Sequence, residues 1–237
     1  SAAGYGSSFP IDRERTTELL RFRTQRFNAM GAGLSRGKLE WIIASALASV
    51  ASTLGRFAGD VVLYTSGPFS LLDLAKDLAT GSSIMPHKKN PDLFELVRAR
   101  SAEVRALPNT IAMMMTNLQG GYHRDYQLLK EVLFPAVTNL LDAIRITLHG
   151  IDGLTVRSDW SDDERYRYLQ TVEDVNRVVT EGLPFRDAYR QVADAIAAGT
   201  WRPPTSPEYT HTGSIGNPAI EQIKGLFAEE MGRIVDR

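Results

Sequence analysis

Residues 81–95 read Gly-Ser-Ser-Ile-Met-Pro-His-Lys-Lys-Asn-Pro-Asp-Leu-Phe-Glu. Ser82 and Ser83 offer a small nucleophilic or basic oxygen. Lys88 and Lys89 offer fixed cations, and Asn90 offers an amide donor. Hydroxyl, ammonium and amide donors together suit a carboxylate whose negative charge grows during a reaction. The same residues would also make a polar connector between two helices, so composition alone leaves both readings open.

A second block, Gly121-Tyr-His-Arg-Asp-Tyr-Gln-Leu-Leu-Lys-Glu131, gathers Tyr122, Arg124, Gln127 and Lys130 near a helix start. Gln127 and Lys130 are three apart and share a helix face. Phenol, guanidinium, amide and ammonium form a donor-rich patch for a substrate with several carboxylates. An ordinary polar first turn is the alternative. The four histidines, His87, His123, His149 and His211, show no ligand-like spacing. With cysteine absent, a zinc site and disulfides are not expected.

The elements that must position these blocks are helical. Leu39, Ile43, Leu47, Val50, Leu54, Phe57 and Val61 step by three and four, which predicts one helix face sustained over several heptads. Alanines lie among them, and Ile42, Val62 and Tyr64 make the helix apolar over much of its circumference. Such a helix belongs inside a bundle or an oligomer. From about Ser35 to Tyr64 it would span ~45 Å.

A second helix should start at Pro91-Asp92 and run on to Leu118 through a kink at Pro108. A third should follow Gly120-Gly121, bent at Pro135, with Leu129, Leu133, Val137, Leu140, Leu141, Ile144 and Leu148 apolar. After Gly153 the composition changes. A linker leads to a helix cap at Ser161 with Glu164 in the capping-box position. Short helices are expected at about 162–169, 171–181 and 185–198, the last two ended by Gly182 and Gly199. A terminal helix is expected at about 218–235. No β-alternation of useful length is visible. The expected architecture is all-α: a long-helix bundle over 1–157 and a small helical domain over 158–237.

The chain has 237 residues and a net charge of −1. That charge gives no electrostatic case for nucleic acid or an anionic membrane. No apolar run is read as long enough to span a membrane.

The 81–90 loop resembles the G-S-S-x-M-P-x-K-x-N pattern of the fumarase/aspartase superfamily, through Gly81, Ser82, Ser83, Met85, Pro86, Lys88 and Asn90. The resemblance implies anti-elimination with release of fumarate. The second block is similar to the Y-N-R-D-x-Q-x-x-K-E stretch of the argininosuccinate lyase family, with His123 in place of asparagine. Phe9-Pro-Ile-Asp-Arg13, Lys88-Lys-Asn-Pro-Asp92 and Gly182-Leu-Pro-Phe-Arg-Asp-Ala188 resemble further segments of that family. Tyr189 stands where histidine is common. Other lyases of the superfamily, and crystallin-like structural relatives, are the alternatives.

By this resemblance Ser82 is the base that takes a Cβ proton, Lys88 and Asn90 hold the carboxylate as charge accumulates, and Glu95 orients a catalytic histidine. Arg13, Tyr122, Arg124, Gln127 and Lys130 would bind the substrate. Also implied are a reaction that needs no cofactor or metal, a cytoplasmic homotetramer and active sites built from three subunits. A family enzyme would have roughly as many residues again before Ser1, the histidine among them.

Overall fold

The computed structural model describes residues 5–81, 83–160, 163–204 and 209–235. Ser1–Arg157 and Ser158–Arg237 form two compact units.

The first unit is built on three antiparallel helices: α3 (Lys38–Thr65), α4 (Asp92–Met114) and α5 (Asp125–Asp152). Two short helices precede them, α1 (Arg13–Leu19) and α2 (Ala29–Leu34). The sequence reading missed both. Each is capped by a side chain, Asp12 accepting from the Arg15 N–H and Asn28 from the Gly31 N–H, both at 2.8 Å, the usual device for an orphan first-turn donor.

The bundle is held by heptad series. Along α5 the buried residues are Tyr126, Leu133, Leu140 and Thr147, interleaved with Leu129, Ala136, Ala143 and Gly150. They meet Val97, Val104 and Ile111 of α4. Two side chains per seven residues is the seam of coiled-coil packing. Pro108 and Pro135 both lie inside helices that continue past them.

On α3 the structure corrects part of the expected face: Leu47, Leu54 and Val61 pack in the core, whereas Leu39, Ile43, Val50 and Phe57 are exposed. The buried residues are Ala44, Ala51, Ala58 and Val61. Small side chains let α4 come close: a Cβ on Gly55 would stand 3.0 Å from that of Ser101. The larger Ile43, Val50, Phe57 and Tyr64 form a neighbouring heptad stripe that is 37–49% exposed. By length and mean hydropathy (1.3) the segment Ala29–Thr65 also passes as a membrane span, which the sequence reading did not see. Its alanines nevertheless pack on α4, and it carries Arg56 and Asp60 one turn apart.

A short ladder joins one end of the bundle, against the expectation of no strands. β1 (Leu72–Leu74) pairs antiparallel with β2 (Leu154–Val156). Three residues are too few for alternation to show, and the partners lie far apart in the chain.

In the second unit, Asp163 caps a 3-10 helix, Glu164–Gln170, in place of the expected α-helix. The cap expected at Ser161 lies outside the described residues. α6 (Thr171–Thr180) and α7 (Phe185–Ala197) follow, each ending at a glycine with positive φ, Gly182 and Gly199. Val175, Val178, Ala188, Val192 and Trp201 form the core. Buried Asp174 accepts from the Trp201 indole at 2.9 Å and from Arg177 at 2.8 Å. Tyr209 donates to Glu173 at 2.9 Å, and that bond raises its phenol pKa. α8 (Ile220–Val235) completes the chain.

Candidate active site

The 81–90 loop leaves the bundle beside the β1–β2 ladder. Its neck is closed by paired backbone bonds: the Thr80 N–H donates to the Asn90 carbonyl at 3.1 Å, and the Asn90 N–H to the Thr80 carbonyl at 2.8 Å. The Thr80 hydroxyl also donates to the carboxylate of Asp92, in the first turn of α4. The Asn90 side-chain amide reaches the Gly81 carbonyl at 3.4 Å. Inside the loop, the Lys88 N–H closes a turn on the Met85 carbonyl at 3.1 Å.

A cavity of about 320 Å³ opens here, lined in part by Asp73, His87, Lys88, Lys89 and Asn90. Two expected site residues, Lys88 and Asn90, therefore line the same cavity. Lys88 has no carboxylate partner among the described residues, whereas Lys89 is paired with Asp73 at 3.1 Å. Glu95 is exposed in the first turn of α4, where acids favour a helix N-terminus. Ser82 lies outside the described residues. Sequence reasoning overlooked Thr80 and Asp73, and read Asp92 only as the acid that opens the second helix and as part of the Lys88–Asp92 segment. Only the position of Thr80 before Gly81, and of Asp92 after Pro91, could have hinted at a neck.

Tyr122, Arg124, Gln127 and Lys130 lie at the other end of the bundle, where α5 begins. The Gln127 amide donates to the Tyr122 hydroxyl at 3.0 Å. That bond leaves the phenol proton of Tyr122 directed elsewhere, as a donor. His123 contacts the Gln119 carbonyl through Nε2 at 2.9 Å and sits edge-on to Tyr126. Arg124 and Lys130 are exposed. Gly121, at φ +125°, leaves room for the Tyr5 hydroxyl, which would stand 2.5 Å from a Cβ there. Arg13 donates to the carbonyls of Phe27, at 2.8 Å, and Arg26. It thereby ties α1 to the segment before α2.

The 23 residues of α4 separate the two clusters, a distance of about 35 Å. Within one chain they do not meet. Each by itself is a set of donors suited to carboxylates: an ammonium and an amide at one end, a phenol, guanidinium and ammonium at the other.

A lyase family, described simply as Lyase, matches residues 1–106. The chain shares its fold with EDDS lyase, whose structure in complex with formate superposes with a TM-score of 0.68 at 24% identity, over 84% of this chain and 40% of that one. A class II fumarase from Schistosoma mansoni superposes with a TM-score of 0.62 at 19% identity, over 78% of this chain and 40% of the fumarase. The fold is thus that of the fumarase-type lyases. In sequence the chain is similar to argininosuccinate lyases: the one from Phocaeicola vulgatus is 46% identical over 229 residues, 97% of this chain and 51% of that enzyme. The chain spans about half the length of the curated relatives it matches.

Proposed function

We propose that this chain works as part of an argininosuccinate lyase, a cytoplasmic homotetramer that splits L-argininosuccinate into L-arginine and fumarate. The observation that carries the reading is the neck-closed loop, which sets Lys88 and Asn90 on the wall of one cavity, in a chain 46% identical to such an enzyme.

In this reading Ser82 removes the Cβ proton next to a carboxylate. The electron pair moves into that carboxylate, which becomes a dianion; it then returns to form the Cα=Cβ bond of fumarate as the Cα–N bond breaks, and the departing nitrogen, which keeps the bonding pair, takes up a proton to give the guanidinium of arginine. Lys88 and Asn90 stabilise the dianion. Donors aimed at charge that appears only in the transition state are worth ~10²–10³ in rate each. Tyr122, Arg124, Gln127 and Lys130 hold the substrate's carboxylates, and Glu95 orients a histidine supplied by another part of the enzyme. Arg13, whose guanidinium is engaged by backbone carbonyls, acts on this site through the position of α1.

The separation of about 35 Å between the clusters along α4 fits a site assembled from several copies. The exposed stripe Ile43, Val50, Phe57 and Tyr64 fits burial against other copies, since an apolar surface of this extent marks an interaction site.

The test is fumarate formation from argininosuccinate, followed by absorbance, with this chain alone and then mixed with the remaining half of a lyase chain. Turnover is expected only in the mixture. No turnover in a mixture that has formed tetramers would count against the reading.

A further inference from the structure

Asp73 belongs to none of the motifs, yet it lies where the loop is tied down. It sits at the middle of β1, opposite Thr155 of β2. Its carbonyl accepts from the Thr155 hydroxyl at 3.3 Å, and its carboxylate accepts from the Leu74 N–H at 3.0 Å. Leu74 is buried in the cluster that holds the ends of α3, α4 and α5. The carboxylate is therefore presented from a fixed piece of backbone. Both of its oxygens receive Lys89 Nζ, at 3.1 and 3.2 Å.

Lys89 is the immediate neighbour of Lys88, and their Cα atoms are about 3.8 Å apart. Asn90 follows at the closed neck. A grip on Lys89 therefore limits where the Lys88 ammonium can travel. It also neutralises one of two adjacent cations, while Lys88 lines the cavity with no carboxylate partner among the described residues.

We propose that Asp73 is a positioning residue: it clamps the 81–90 loop through Lys89 and so holds Lys88 at the cavity wall. The role of the clamp in turnover rests on the function proposed above; the clamp itself does not. A solvent-exposed ion pair adds little to global stability. Its effect is felt in a loop, where opening costs little free energy.

Hydrogen exchange on the 237-residue chain tests the clamp without reference to activity. In Asp73→Asn and in Lys89→Met, the hydrogen-bonded amides of Lys88 and Asn90 are expected to exchange roughly two- to fivefold faster. The double variant should be no faster than either single one, because both remove the same interaction. Amides of Val104 and Leu129 should keep their protection, which shows an intact bundle. Asp73→Glu should retain most of the protection of the loop. Unchanged loop exchange in both single variants, or additive acceleration in the double variant, overturns the clamp. In the lyase assembled with its other half, Asp73→Asn should lower kcat several-fold. An unchanged kcat overturns the positioning role. If the unmodified assembled protein does not turn over, the functional reading fails, while loop exchange still decides the clamp.

Discussion

Phe94 fills the space that a side chain at Gly150 would need. A Cβ at position 150 would stand 2.7 Å from the Phe94 ring and 2.8 Å from Leu93. This contact locks the first turn of α4 to the last turns of α5, directly behind the loop neck at Thr80 and Asn90. Phe94 is fully buried and meets Phe57 of α3 edge-on at 6.1 Å.

Gly150→Ala is therefore expected to destabilise the first unit by about 1–3 kcal/mol, the usual cost of overpacking. Phe94→Ala should cost more, about 3–5 kcal/mol, because it leaves a cavity. Denaturant unfolding followed by circular dichroism measures both. If Gly150→Ala were as stable as the parent, the close contact would not be holding the two helices.

The chemistry at the loop predicts a contrast between adjacent lysines. Lys88→Met should lower kcat of the assembled lyase by ~10²–10³ with unaltered loop exchange. Lys89→Met should lower it far less but loosen the loop. Steady-state kinetics and exchange on the two variants side by side separate the roles. Equal losses of turnover would show that the two cations serve the substrate alike.

At the far end, Gln127 and Tyr122 should behave as a pair. Tyr122→Phe removes a hydroxyl donor, and Gln127→Ala removes the amide that orients it. Each is expected to weaken argininosuccinate binding by about 0.5–1.5 kcal/mol, the usual net worth of one hydrogen bond, with little change in helix content. Calorimetric titration of the assembled lyase reads this directly. Unchanged affinity in both variants would mark the patch as ordinary surface.

The long helices were legible because apolar residues recur every three to four positions, and the loop was legible because its residue types are unusual together. The face of α3 was legible only in part, through Leu47, Leu54 and Val61. Ile43 and Ala44 are neighbours, and a reading weighted by side-chain size chooses the isoleucine stripe, whereas close packing against α4 selects the alanines. The ladder between β1 and β2 was invisible for another reason: three-residue strands that pair across two intervening helices leave no local pattern. The clamp from Asp73 to Lys89 depends on that same non-local pairing, so the sequence offered only two separate charged residues. The separation of Lys88 from Tyr122 was implicit in the length of α4, but it acquires meaning only once α3, α4 and α5 are seen to run antiparallel.

The exposed apolar stripes lead to the last prediction. On α5, Phe134, Leu141 and Leu148 are spaced by sevens and are 48–61% exposed. On α3, Val50 and Phe57 continue a similar row. Full burial of one such side chain is worth about 1.5–3 kcal/mol, so association through several of them would be strong, and one charge placed among them would be costly to bury. Val50→Glu and Leu141→Glu are therefore expected to shift the lyase assembled from this chain and its other half from the proposed tetramer to smaller species. Helix content should remain, because neither residue belongs to the buried seam of its own bundle. Analytical ultracentrifugation gives the mass and circular dichroism the helicity. A tetramer that persists in both variants would place the subunit contacts on some other face.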